Sequence, residues 1–501
     1  MFDRDHAATP TVRSSRFDAA GIALLALVVR LPALVANRHL TFDDGVYGSA
    51  ALSMRHGNVP FRDVYSPQGP AHLATVWLFD LLAGRTTWSP RVASVVAGVV
   101  ICVGVWCILA VVASSRAARW CGVVLALSGS LGWVTVPLAG DGIAIAWAVV
   151  AIAIALRSDG RVGVCALAGV AFAMALSTKV LVAPAVLLIL AGIWCGGGSR
   201  NDRIRRFSAF GISTIVVVAL WFVAFRPSLV WEQSIRYHAS TPRITSMSHN
   251  LATLTNTALH RDLLLVVALV LCLATGWHSR RHFTSRHRLF IRATTAWLVA
   301  TVVLLVVQKA TFRAHVSHLV VPVVVLCALL KPLRQIPASQ RGRPTLRTFA
   351  LGCAAFAILI AQFRGLLIPN EYSQPERSAV AVLRALPTSA LVITDEPGLA
   401  WSAHKEMPAW LVDPGIKRFF GNDLRVGPRS VYASLADPRV CAVAVWTYRY
   451  GSLLPHLAED LTQHGFVDRN TFGFWTSPDG SRGPRQVWIR PSCAATRVSS
   501  R

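Results

Sequence analysis

Charge is scarce in this chain. Only 15% of its 501 residues are Asp, Glu, Lys or Arg, against about 25% in an ordinary soluble domain, while 54% are hydrophobic. That leaves too little polar surface for a soluble protein of this length. The apolar residues are also clustered, in Ala/Val/Leu/Ile runs separated by short Arg-rich gaps, which is the pattern of a helical membrane bundle. Acids are scarcer than bases, 24 against 50, for a formal net charge of +26. Because the arginines occupy gaps between apolar runs, and no basic helix carries interleaved aromatics, this charge speaks for membrane topology and against a nucleic-acid partner. Cys-x-x-Cys and Cys/His metal spacings are missing. Most of the ten cysteines stand singly inside apolar runs (Cys102, Cys107, Cys165, Cys272, Cys327) and read as small buried hydrophobes. Cys441 and Cys493 fall in a polar tail, and spacing leaves open whether they pair. There is no internal repeat. No small-residue cleavage site follows the first apolar run, so it reads as a retained first span after a cytoplasmic tail, 1–18.

Hydropathy places spans near 19–36, 91–113, 120–138, 142–156, 162–178, 181–195, 207–225, 262–277, 292–308, 315–330 and 348–366, about eleven in all. Several fall short of the roughly 20 residues of a straight span. The gaps 114–119, 196–206, 278–292 and 331–347 are rich in arginine, and the positive-inside rule puts them in the cytoplasm. The loop 37–90 and everything after 366 then face outward. Residues 71–83 are apolar but short and contain Asp80. Counting them as a span would invert every later loop, so they read as an interfacial helix on the outer side. The tail 367–501 holds strand-like runs at 390–396, 440–446 and 487–490 and helix-like stretches at 377–386 and 453–465, a small α/β domain.

This orientation singles out a few charged residues at the outer ends of spans, where ionisable groups are expensive and functional by default. They are Asp43 and Asp44 in the first outer loop, Asp141 between two spans, Lys179 in a tight turn, and Lys309, Arg313, His315 and His318 around a late turn. A carboxylate at a headgroup can act as a general base, although Asp-Asp-Gly also suits a helix start. Lys179 can bind a phosphate as a point charge or simply snorkel at a span end. Asp141 can hold a sugar hydroxyl or cap a helix. Taken together, acids for acceptor and sugar and bases for phosphate lie on one side of the membrane, as a sugar-phosphate-lipid donor requires.

Six stretches, in order, resemble the protein O-mannosyltransferase and aminoarabinose transferase group of the membrane-embedded type C glycosyltransferases. They are Asp43-Asp44-Gly45-Val46-Tyr47 with Ala50, Met54 and Gly57; the turn Tyr65-Ser66-Pro67-Gln68-Gly69-Pro70; Arg91 opening a span; Gly140-Asp141-Gly142; Ser177-Thr178-Lys179; and the run from His315 to Leu326. The resemblance implies a polytopic α-helical membrane protein with a C-terminal extracytoplasmic α/β domain, in the plasma membrane. Its implied reaction moves a mannose- or arabinose-like sugar from a polyprenyl-phosphate donor to a glycan, glycolipid or protein acceptor, with inversion. Asp43 is then the base, Asp44 a supporting acid, Asp141 an orienting group and Lys179 a donor-phosphate contact. One departure stands out. Gln68 occupies a turn position where the family often has a phosphate-binding lysine, so phosphate neutralisation must lean on Lys179, Arg313, His315 or His318. Tyr47, Gln68, Tyr237, His238 and Arg243 are candidates for the acceptor site and its loops. The scheme requires no cofactor and leaves room for a divalent cation. The competing readings are a secondary transporter or flippase of lipid-linked sugars, against which the missing repeat and the one-sided charges argue, and a scaffolding subunit whose site has decayed.

Overall fold

The computed structural model describes residues 12–36, 38–279, 283–330, 346–367, 373–415, 428–454, 456–477 and 480–494. The basic gap expected at 331–347 is described only from residue 346. The linker at 368–372, the start of the N-terminal tail and part of the gap at 278–292 lie outside the described residues.

A helix lies over each apolar segment. In chain order these are α1 (Val12–Val28), then α2 (Phe42–Arg55) and α3 (Pro70–Leu82) in the loop 37–90, then α4 (Val92–Val112), α5 (Ser115–Ala126), α6 (Gly129–Thr135), α7 (Gly140–Leu156), α8 (Val162–Thr178), α9 (Val186–Trp194), α10 (Arg200–Ala224), α11 (Met247–Ser279, kinked at Asp262), α12 (Ser285–Val307), α13 (Ser317–Leu330) and α14 (Leu346–Leu367). Among the described residues, five helical stretches are long and apolar enough to cross a bilayer alone, including Ser89–Val112 and Arg200–Ala224, and up to six if one bent pair counts as a span. Others are shorter apolar helices of 10–17 residues. The chain is a multi-pass membrane protein. Its centre is α7, buried along most of its length and packed against α4 and α8. By contrast α10 turns Ile212, Ile215, Leu220 and Val223 outward, the side a lipid tail would cover.

The segment expected as one straight span at 120–138 is bent by 63° between α5 and α6. The break is pinned from another helix. Asp262 of α11 accepts from Ser128 Oγ at 2.7 Å and from the Ser130 amide at 3.2 Å, occupying the helix-start donors that a continuous helix would use internally. Helix α3 has 13 residues, a length of about 20 Å against a hydrocarbon core of about 30 Å. Its Asp80 is buried and held by Arg55 Nε and Nη2 at 2.9 and 2.8 Å. Trp77, Leu78, Leu81 and Leu82 are exposed.

The tail forms a four-stranded sheet in the order β1-β2-β4-β3, from β1 (Leu391–Thr394), β2 (Val440–Val445), β3 (Val467–Thr476) and β4 (Arg482–Ile489). Strands β1 and β2 pair in parallel, and the other pairs are antiparallel. The parallel pair is buried on both faces, as its unbroken apolar runs require. Helices α15 (Gln374–Arg384), α16 (Pro397–Ser402) and α17 (Leu457–Gln463) accompany it. Cys441 and Cys493 form a disulfide, with Cα atoms 5.7 Å apart and a sequence separation of 52. A closed loop of that length is worth about 2–4 kcal/mol. Cys493→Ser should therefore lower the thermal unfolding midpoint of the tail in the purified chain, and reductant should lower that of the wild type but not of the variant.

The sheet domain sits directly on the loop 37–90. Gly398 of α16 meets Gly45 of α2, where a Cβ on Gly45 would run into the Gly398 backbone. Trp401 covers Gly48 and stacks under Arg91, 4.9 Å from guanidinium carbon to ring centre. Glu406 closes the contact, accepting from Ser53 and Asn58 and pairing with His56 at 2.8 Å.

Candidate active site

Helix α2 begins at Thr41, whose hydroxyl accepts from the Asp44 amide at 3.2 Å, an N-cap. The two aspartates follow in the first turn. Successive residues on a helix point about 100° apart, so adjacent acids meet different surroundings. Asp44 turns inward and is fully buried. Its carboxylate pairs with Arg91 Nη2 at 2.6 Å and Nε at 3.3 Å, and it accepts from the amides of Leu40 and Leu138, both at 2.9 Å. Arg91 in turn donates to the carbonyls of Ala33, Ala36 and Arg38. This cluster ties the end of the first span, α2, α4 and the residues before α7 together.

Asp43 faces the other way, is only partly exposed, and among the described residues makes no ion pair. Burial pushes its carboxyl up to about 6, with Asp141, Asp413 and Asp44 raising it further and Lys179 opposing. One turn on, the buried phenol of Tyr47 is hydrogen-bonded with Gln68. Burial first, and then the Asp43 charge, hold it protonated well above the usual tyrosine range.

Asp141 stands in the first turn of α7 and is buried. Its Oδ2 takes Lys179 Nζ at 2.8 Å and its Oδ1 takes His318 Nε2 at 2.8 Å. Three elements separate in sequence, the starts of α7 and α13 and the end of α8, thus meet through one carboxylate. His315 is close enough to act on the Asp141 charge, and its Nδ1 is engaged by Gln308 at 2.9 Å. Arg313 is not part of this group: it is exposed, with the like charge of Arg261 nearby.

The turn carrying Gln68 is clamped from the segment at 227–240. Gln233 accepts from the Ser66 amide at 3.0 Å and donates to the Phe61 carbonyl at 2.7 Å. Ser234 donates to the Gln68 carbonyl at 2.7 Å, and His238 Nε2 lies 2.9 Å from the Pro67 carbonyl. Tyr237 packs edge-on against Tyr65, which also meets Trp410 of the sheet domain. Tyr237 and His238 therefore touch the turn itself. Arg243 caps the end of α12, donating to the Val307 and Gln308 carbonyls. Lys309 donates to the carbonyls of Ala239 and Thr241.

Two residues near this group carry no signal in the sequence. Asp413 comes from the sheet domain, binds the Gly415 amide at 2.9 Å and contributes to the field at Asp43. His72, in the first turn of α3, is wholly buried against Tyr47 with ring centres 4.4 Å apart. From His318 an apolar cleft opens between α7, the turn after Lys179, α12 and α13, lined by Ile145, Val149, Leu181, Trp297, Thr301 and Val321. Among the described residues no three His, Cys, Asp or Glu side chains are grouped to hold a metal ion.

No protein-family model and no curated protein matches the sequence. Solved structures do match in three dimensions. The chain is similar to ArnT from Cupriavidus metallidurans, both bound to undecaprenyl phosphate (TM-score 0.63, 14% identity, 96% of this chain and 98% of that one) and in the apo state (TM-score 0.62, 14% identity, 94% and 98%). It is also similar to the archaeal oligosaccharyltransferase AglB from Archaeoglobus fulgidus in complex with an inhibitory peptide and a dolichol-phosphate (TM-score 0.53, 12% identity, 94% and 74%). The chain has the fold of the type C membrane glycosyltransferases.

Proposed function

We propose that this protein is a membrane glycosyltransferase that moves a mannose- or arabinose-like sugar from a polyprenyl-phosphate donor to an extracytoplasmic acceptor, with Asp43 as general base. The observation that carries the reading is the contrast among the three outer aspartates. Asp44 is consumed by Arg91 and two amides, and Asp141 by Lys179 and His318. Asp43 alone lacks such partners, and it titrates near the pH at which a base works best. The likeness to a protein solved with undecaprenyl phosphate supports the donor class.

In this reading an acceptor hydroxyl loses its proton to Asp43 as its oxygen attacks the anomeric carbon. The bond from that carbon to the phosphate oxygen breaks, and polyprenyl phosphate departs with the electron pair. One displacement inverts the anomeric centre. Lys179 has N–H groups beyond the one given to Asp141 and stabilises the leaving phosphate in a partly desolvated setting. Asp44 fixes the helix that presents Asp43. The acceptor, a glycan, glycolipid or protein, enters between the outer loop and the sheet domain. The topology that goes with this has about eleven crossings, a cytoplasmic N-terminus and the tail outside, where a disulfide persists.

Lys179 carries the most direct test of the donor site. A hydrogen bond to a charged group is worth about 1.5–3 kcal/mol, so Lys179→Ala should weaken undecaprenyl phosphate binding by about 10–100-fold. Membrane insertion should be unchanged. Unaltered affinity, measured on purified protein in detergent, would remove Lys179 from the site.

A further inference from the structure

Among the described residues, His72 is the one side chain in which two polar atoms are both buried and both without a hydrogen-bond partner. Such a ring weakens the fold, because each nitrogen has given up water for nothing. Packing does not require it: a phenyl ring would fill the same space beside Tyr47 without that loss.

Its surroundings say what it is there for. The ring packs edge-on to Tyr47 from α2, at 78° between ring planes. Its Nδ1 is 3.5 Å from the point where a Cβ on Gly140 would stand, and Gln68 Oε1 is equally near that point. Gly140 directly precedes Asp141, and both Asp141 and the Lys179 ammonium act on the ring through space. Burial and then Lys179 push its pKa down to about 3, so the ring is neutral, with one N–H donor and one acceptor nitrogen. With glycine at 140, no side chain from that position stands against this face of the ring.

We propose that His72 is a donor-binding residue whose ring N–H hydrogen-bonds a phosphate oxygen of the polyprenyl-phosphate sugar, beside the Lys179 ammonium. The inference rests on the function proposed above. His72 would thus offer a neutral N–H group near a single cation, Lys179. Neutral donors bind a phosphate while leaving less charge to hold the product anion after transfer.

Undecaprenyl phosphate, without sugar, is the probe, titrated onto the purified full chain in detergent. His72→Phe should weaken its binding by about tenfold or more, while the unfolding midpoint without ligand stays equal to wild type or rises. His72→Gln, which restores an N–H, should recover part of the affinity. If His72→Phe binds as well as wild type, the ring only packs and the inference fails while the function stands. If the wild type itself does not bind, the proposed function falls and this inference with it. Should the Phe variant not insert, His72→Gln against His72→Leu makes the same comparison: equal affinity overturns the inference, and tighter binding by Gln supports it.

Discussion

Asp43→Asn should lower the rate of sugar transfer by about 10²–10⁴-fold, the usual contribution of a positioned general base. Expression and membrane insertion should not change. The amide keeps the size of the carboxyl but has no lone pair basic enough to take the acceptor's proton. The pH dependence carries the sharper form of this expectation. The Asp43 carboxyl is raised to about 6, mainly by burial and then by neighbouring acids. Below that pH it is protonated and cannot act as a base; above it, it is ionised and can. The wild-type rate should therefore climb as pH rises through about 6 and then level off. Whatever activity Asp43→Asn retains should lack that rise. A wild-type profile flat from pH 5 to 8 would contradict the assignment.

The neighbouring residue should behave in the opposite sense. Asp44→Ala leaves Arg91, itself buried, facing carbonyls but without its counter-charge. Breaking a buried ion pair on one side costs about 3–5 kcal/mol. The variant should be poorly expressed or unfold at markedly lower temperature. Asp43→Asn should unfold at the wild-type midpoint or slightly above, since it removes a desolvated carboxyl. Two adjacent acids thus divide into one whose loss silences the protein and one whose loss unfolds it. An Asp44→Ala variant as stable as wild type would show that Arg91 finds other partners and that the clamp does not hold the loop.

The resemblance implied Asp43 as base and Asp44 as a supporting acid, but the residues themselves do not show that division. Asp43 and Asp44 are the same residue type in the same helical turn, and what separates them is Arg91, 47 residues on. The apolar segments were legible because each is continuous and set off by polar gaps, and a helix lies over every one. The bend between α5 and α6 was not, because its cause, Asp262, lies 134 residues from Ser128. In the tail, β1, β2 and the last residues of β4 coincide with apolar runs. Strand β3 escaped because it is mostly exposed, interrupted at Gly473 and rich in polar residues. Asp141, Lys179 and His318 stood out singly as charges at span ends, but their meeting depends on how α7, α8 and α13 pack. Arg313 carried the same signal and lies elsewhere. His72 was hidden because a lone histidine in an apolar helix looks like any other core residue, and only its missing partners distinguish it.

The central claim is that a polyprenyl-phosphate sugar is the substrate and Asp43 the base. Membranes carrying wild-type or Asp43→Asn protein at equal levels, supplied with radiolabelled polyprenyl-phosphate mannose and then arabinose, test it most directly. The account predicts that wild-type membranes transfer label from one of these donors to endogenous acceptor and that Asp43→Asn membranes do not. Equal transfer by both proteins would contradict it.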